Sequence, residues 1–412
     1  MNIAIVGSGI AGIYAAHYLS KQHKVTLYEA NAYLGGHTDT HNIVINDRNF
    51  AVDTGFIVFN AHNYVHFTQF LAELGVESQP SDMSFSVSDV LSGLEYNATT
   101  IDKLFCQRQN LFRPRFFRMV LDIVRFYREA PKLLDGFDNT LTLGDYLAQN
   151  RYSQAFMDDH LIPMACALWS GPPDLLKNFP VRYFVAFMAN HQMLNLSERP
   201  RWRTVSGGSS MYIDAFRKQF AGELRLNTPV QTIVRHPHGV KVSTANDNLN
   251  YDRVVLACHS DQALGLLKDA NVAETEILGA MSYQDNEVVL HTDASLMPKH
   301  PKAWASWNAL KLDEVQARCT ITYYMNLLQN LDASEPLLVT LNCTDRIDPD
   351  KILLTRHYHH PVYTPQSLAA QLRRAEINGQ RHTYFAGAYW GWGFHEDGAR
   401  SAQEVVDLVG QS

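Results

Sequence analysis

Residues 2–30 read NIAIVGSGIAGIYAAHYLSKQHKVTLYEA, and this stretch decides the fold. Ile3–Val6 is a short apolar run closed by glycine, residues 10–21 carry helix formers with an apolar face, and Lys24–Tyr28 is rich in β-formers. The order strand, turn, helix, strand gives Gly7, Gly9 and Gly12 their meaning. In that context G-x-G-x-x-G supplies a tight turn, close backbone approach to a pyrophosphate and close helix–strand packing, with the helix N-terminus facing phosphate. Ser8, Ile10 and Ala11 belong to the same turn. Glu29 ends the second strand, where a carboxylate accepts hydrogen bonds from an adenosine ribose and repels the 2′-phosphate of NADP, and Ala30 follows it. A dinucleotide site is predicted; the fingerprint alone does not separate FAD from NAD.

The next segment departs from the nicotinamide pattern. NAYLGGHTDT (31–40) brings the pair Gly35 and Gly36, then His37 and Thr38, and RNFAVDTGFIVFN (48–60) runs as a strand into a turn at Gly55 and Phe56. Between them the chain turns back as a hairpin at Asn46-Asp47, where a nicotinamide dehydrogenase would proceed through another helix. Further on, RTVSGGSSMYIDAFRKQF (203–220) predicts an amphipathic helix burying Met211, Ile213 or Ala215, and Phe216. Short strands follow it, with Val230 early among them and YDRVVLACH (251–259) at their end.

HTYFAGAYWGWGFHEDGARSAQEVVDLVGQ (382–411) reads as a strand over Thr383–Ala386, a turn at Gly387 and a terminal helix beginning near Gly398, with Ala399 beside it. This stretch resembles a closing flavin motif, in which unpaired N–H groups at a helix start stabilise the negative charge of the reduced ring. Asp397 is expected as the helix N-cap, preceded by Glu396. Tyr389, Trp390, Trp392 and His395 are the candidate catalytic residues on the substrate side of such a ring, and His395 is the candidate base because an ordinary imidazole titrates near neutrality. A plainer reading has these aromatics filling a domain interface.

GGHTDT, DTGFIVFN, HYHHPVY and GAYWGWGFHEDGARSA together resemble the FAD-dependent amine oxidase and phytoene desaturase superfamily. Within it they are similar to a bacterial branch associated with cyclopropane, methyl-branched and furan fatty-acid metabolism, and the likeness covers nearly the whole chain. The superfamily has a Gly-Gly-Arg loop after the ribose acid; His37 stands here in place of the arginine. Val230 matches a residue whose backbone touches the adenine side, and Gly387, Gly398 and Ala399 match the closing flavin motif.

The resemblance implies an α/β architecture: a doubly wound, Rossmann-like FAD-binding domain built from residues 1–75, 203–270 and 378–412. An α+β substrate domain, helical over 76–202 and sheet-rich over 271–377, would cap it. It implies an FAD-dependent oxidoreductase that desaturates or oxidises methyl-branched phospholipid fatty acyl chains by hydride transfer to flavin N5. No cysteine lies in the closing motif, so the FAD is expected to be non-covalent. Two alternatives keep the same scaffold: an amine oxidase acting on a soluble amine, and a non-catalytic carrier of flavin or lipid.

The bulk properties agree with a globular protein and exclude little else. Hydrophobic residues make up 46% of the chain, and a net charge of −7 gives no global attraction to nucleic acid. Five widely spaced cysteines fit free thiols in a reducing compartment. The opening MNIAIVGSG enters a strand directly, without the basic and apolar regions of a signal peptide, and no apolar run reaches the roughly 20 residues of a membrane span. A cytoplasmic location is expected. RHYHHPVYT (356–364) puts His357 and His359 on one strand face without a third ligand, so no metal is expected. Residues 103–132 hold eight Lys or Arg against Asp122 and Glu129, a local charge of +6 in a chain whose remainder is −13. Phe117, Leu121, Val124 and Tyr127 or Arg128 recur there at helical spacing, read either as a helix lying peripherally on an anionic membrane or as a core helix with a solvated basic face.

Overall fold

The computed structural model describes residues 1–136, 140–169, 176–195, 200–312 and 319–411. Its organising element is a five-stranded parallel sheet in the order Glu223–Arg225, Lys24–Tyr28, Asn2–Val6, Arg253–Leu256, Thr383–Phe385. The N-terminal strand lies at its centre, flanked by the second strand and by a strand some 250 residues away in the chain. Alternation along that strand feeds two cores. Ile3 and Ile5 pack with the helices Ile10–Leu19, Val65–Leu74, Ser210–Gln219 and His395–Gly410. Ala4 and Val6 face a three-stranded antiparallel sheet of Thr232–His236, Gly239–Ser243 and Asn248–Tyr251. With both faces covered, the central strand must be apolar throughout, which is why it reads as a continuous run.

Two glycines set the spacing of this unit. A Cβ on Gly12 would lie 1.9 Å from the Gly7 carbonyl oxygen, so only glycine lets the first helix settle against the turn. A Cβ on Gly398 would lie 2.7 Å from Ile10 Cγ2, and the terminal helix packs along the first one through that contact. The hairpin forms as its sequence predicts: Thr40–Ile45 pairs with Arg48–Asp53, and Asn46 and Asp47 at φ 47° and 60° make the left-handed two-residue turn.

A second sheet of seven strands lies beside the first unit. Its order is Ile352–Val362, Ser282–His291, Leu338–Leu341, Cys319–Tyr324, Trp307–Lys311, Phe85–Asp89, Glu95–Asn97. Two of these strands come from the segment read as helical over 76–202, because Phe85, Ser86, Val87 and Ser88 alternate apolar and polar residues and the two strands complete the sheet edge. The helices Pro114–Glu129, Leu143–Gln149, Ile162–Trp169 and Val181–Asn190 share a core of their own. Phe50 and Val52 of the hairpin pack with Val288, Leu290 and Val339, joining the nucleotide unit to the seven-stranded sheet.

Two local readings differ from expectation. Met211 is 44% exposed, and Tyr212, Ile213 and Phe216 form the buried face instead, because the helix begins at Ser210 and turns Met211 outward. The terminal helix starts at His395, three residues before Gly398, and Asp397 is therefore inside its first turn.

Candidate active site

A single cavity of about 1240 Å³ runs from the parallel sheet into the helical layer, larger than the roughly 300–1,000 Å³ typical of one small-molecule site. At its sheet end the wall is mostly backbone: Gly7, Ser8, Gly9, Ile10 and Ala11, then Gly35, Gly36 and Gly55. The helix Ile10–Leu19 starts here with no side-chain cap and no acid in its first turn, and a Cβ on Gly9 would meet nothing within 4 Å. Open N–H groups at the positive end of a helix, with free space before them, form an anion site. Glu29 lines the same end with Ala30 and Val230. Its Oε2 accepts from the Ser8 N–H at 3.0 Å and from the Ser8 hydroxyl, and its Oε1 accepts from the Asn31 N–H at 2.9 Å. The carboxylate is thereby aimed before any ribose arrives.

In the middle of the cavity His37, Phe56, Gly387, Tyr389, Trp392 and His395 meet. The strand Ile352–Val362 adds Tyr358 and His360, and His259 lies stacked on Tyr283 with ring centroids 4.4 Å apart. Burial holds these imidazoles neutral: His37 and His259 are pushed down to about 4 and His360 to about 3, with neighbouring imidazoles adding to the effect. His37 Nε2 is buried without a hydrogen-bond partner, and so is Trp392 Nε1. Such groups in a cavity wall await a polar ligand. His357 and His359 both lie against Asp285, at 3.2 and 3.7 Å, and also border the cavity. Among the described residues no group of His, Cys, Asp or Glu is arranged to hold a metal ion.

The distal end is apolar and aromatic: Phe85, Met164, Ala167, Leu168, Trp169, Phe187, Trp307 and Tyr323 line it. Arg201 and Arg203 are the lining cations among the described residues, and Arg203 is engaged by Ser78. Glu29 is the lining carboxylate among the described residues, and it belongs to the opposite end.

Several predicted site residues lie behind the cavity. Gly12, Gly398 and Ala399 are packing positions between the two long helices and the sheet. Thr38 touches His395 instead of the cavity: its Oγ1 lies 3.0 Å from His395 Nε2, which also sits 3.2 Å from the Tyr212 hydroxyl. Glu396 does not line the cavity in this arrangement. Its carboxylate accepts from the His66 and Phe67 N–H groups at 3.0 Å each and caps the helix Val65–Leu74. Asp397 is not the N-cap; its Oδ2 accepts from the Trp392 N–H at 2.9 Å and the Phe394 N–H at 3.1 Å, bracing the turn from within the helix. Trp390 does not face the cavity either; it is buried beside Tyr389 with the Arg374 guanidinium over its ring.

His395 does line the cavity, stacked on Phe56 with centroids 3.6 Å apart, but burial drives its pKa well below the ordinary value. An imidazole so hard to protonate is a poor general base, which removes the reason for choosing it. Sequence reading missed His259, Tyr283, Tyr358 and His360, although the alternation in HYHHP already assigned Tyr358 and His360 to one face.

The sequence profile of the family described as flavin containing amine oxidoreductase matches residues 10–314. The chain belongs to that family. An L-amino-acid oxidase of Siganus canaliculatus is 23% identical over 314 residues, 71% of this chain, and the chain spans 57% of the length of that curated relative. Solved structures share the fold over full lengths. The CLA-producing fatty acid isomerase from P. acnes has a TM-score of 0.70 at 16% identity, covering 98% of this chain and 97% of that one. Cyclohexylamine oxidase from Brevibacterium oxydans IH-35A has 0.71 at 15%, covering 100% and 98%. A putrescine oxidase bound to putrescine has 0.72 at 14%, covering all of both chains.

FAD is the cofactor of this family member. The residues present fit it: an uncapped helix start for the pyrophosphate, an oriented carboxylate at the end of the second strand, and unpartnered polar atoms on His37 and Trp392 in the middle section. Membership places the chain among flavin-dependent oxidoreductases.

Proposed function

We propose that this flavoprotein oxidises an apolar fatty acyl chain bound in the distal end of the cavity. The observation that carries this reading is the chemistry of that end: aliphatic and aromatic walls, with no lining carboxylate among the described residues to neutralise an ammonium group. A cationic amine drawn into such walls loses its hydration without gaining a counter-charge, whereas a hydrocarbon chain gains about 0.8 kcal/mol per buried CH₂. The likeness to a fatty acid isomerase agrees with this reading, and the resemblance of the sequence motifs to the fatty-acid branch of the superfamily suggests methyl-branched chains of phospholipids as the substrate.

Bound FAD supplies the two-electron sink that such an oxidation requires. The chain's own residues do the rest. Phe187, Trp169 and Met164 bind and orient the chain and keep water out. The pair Phe56 and His395, fixed from behind by Thr38 and Tyr212, is a rigid wall between the two ends. The buried imidazoles stay neutral, so they stabilise polar groups without adding charge.

The test is to express the protein in cells with and without a supply of methyl-branched phospholipid and compare acyl-chain unsaturation. New double bonds confined to the supplied chains are expected. Unchanged lipids, with hydrogen peroxide formed from added amines, would replace this reading by amine oxidation.

A further inference from the structure

The helix Pro114–Glu129 presents its apolar row outward. Phe117 is 41% exposed, Leu121 65% and Val124 37%, and Phe112 just before the helix is 86% exposed. The residues that seat this helix in the protein are Phe116, Met119, Asp122 and Phe126 on the opposite side. The row is therefore not the core face that one sequence reading allowed.

Its surroundings are basic in a patterned way. At 100° per residue, Arg113 and Arg128 fall on the same stripe as Phe117, Leu121 and Val124 and close it at both ends, and Arg118 and Arg125 run along one flank. Asp122, the acid in the middle of the helix, is turned inward with Arg118 Nε at 3.2 Å and the Ser153 N–H at 2.9 Å. No acidic side chain interrupts the stripe. The same helix carries Tyr127, which lines the distal cavity together with Ala98 and the exposed Thr99.

We infer that Phe112 and the stripe from Arg113 to Arg128 form a docking surface for an anionic lipid bilayer. The exposed apolar side chains enter the acyl boundary and the arginines meet the headgroups. A chain of net charge −7 is otherwise repelled from such a surface; residues 103–132 carry +6 in sequence, and although Arg108 and Arg115 pair with Asp102 and Asp159 from outside that segment, the excess of arginine beside exposed phenylalanine and leucine selects this side of the molecule. Docking in this pose sets the helix that borders the distal cavity against the membrane.

The test uses the full flavin-loaded chain and vesicles of phosphatidylcholine alone or with added phosphatidylglycerol. Sedimentation with the anionic vesicles, weakened by high salt, and little with the neutral ones is expected. Phe117→Ser/Leu121→Ser/Val124→Ser should weaken binding at least tenfold. Arg113→Gln/Arg128→Gln should weaken it several-fold and flatten the salt dependence. Leu372→Ser, an exposed leucine elsewhere, should change nothing. Equal flavin content in every variant shows that each is folded.

Wild-type protein left in the supernatant, or a triple variant that sediments as the wild type does, overturns the inference. Self-association that the triple variant abolishes, without vesicle binding, makes the stripe an interface between copies and overturns it too. Binding is read without turnover, so it stands or falls apart from the substrate assignment.

Discussion

The two ends of the cavity are built on opposite principles. The sheet end is backbone: a glycine turn, an uncapped helix start and one carboxylate held by Ser8 and Asn31, all within residues 7–31. The distal end is side chain: Phe85, Met164, Trp169, Phe187, Trp307 and Tyr323 come from separate elements and owe their meeting to the whole fold. Backbone geometry tolerates no substitution but binds the same nucleotide in many proteins, whereas a side-chain wall is free to take new shapes. The cofactor is therefore constrained by sequence-local rules and the substrate by tertiary packing.

The sharpest break in this contrast is at two neighbouring glycines. Gly9→Trp has open space around its Cβ, so the protein should fold yet lose flavin by at least about 100-fold in affinity, or about 3 kcal/mol. Gly12→Val drives a methyl-sized group into the Gly7 carbonyl and should destabilise the fold itself by about 3 kcal/mol or more. Flavin absorbance and thermal unfolding on the same samples separate the two effects.

At the other end, Leu168→Glu puts an unpaired carboxylate into the apolar wall. Flavin content should be unchanged while acyl oxidation falls about 100-fold, from the cost of burying a charge beside a hydrocarbon chain. Faster turnover of an added amine in this variant would show that a missing counter-charge, not shape, excludes amines. A smaller effect is expected of Glu29→Ala. Losing the hydrogen bonds this carboxylate offers a ribose should weaken FAD by about 10- to 100-fold, at about 1.5–3 kcal/mol per charged hydrogen bond, with acyl specificity untouched.

How much of this was legible follows from the same contrast. Gly7, Gly9, Gly12 and Glu29 could be read because each obeys a local rule of turn geometry or strand end. The hairpin at Asn46-Asp47 could be read for the same reason. Glu396, Asp397 and Trp390 are harder to place because the same residue types serve flavin contact and structural bracing, and the bracing shows only in three-dimensional partners such as His66, Phe67 and Arg374. The distal wall leaves no spacing in the sequence at all. Met164 and Tyr323 are 159 residues apart and look like any core residues.

Smaller still, and spread over the cavity and the seven-stranded sheet, is the response to acid. His37, His191, His259 and His291 are held near 4 and His360 near 3, against an ordinary 6.5. Between those limits the unfolded chain binds protons that the folded chain refuses, so stability is present above about 6.5 and is lost as pH falls toward 4. Asp53, raised to about 6, and Asp397, raised by burial, act in the opposite sense, but they are outnumbered by the buried histidines, to which His17, His23 and His395 add. Denaturant midpoints measured from pH 7 to pH 4 should fall continuously; a flat profile would show that the buried imidazoles are paired or hydrated. Acid precipitation should release the flavin quantitatively into the supernatant, as a non-covalent cofactor requires.

Anaerobic mixing of the flavin-loaded protein with vesicles of methyl-branched phospholipid tests the central claim most directly. Bleaching of the flavin absorbance by these vesicles, with none from putrescine or cyclohexylamine at comparable concentration, is the predicted result. Bleaching by the amines while the lipid leaves the spectrum unchanged would contradict it.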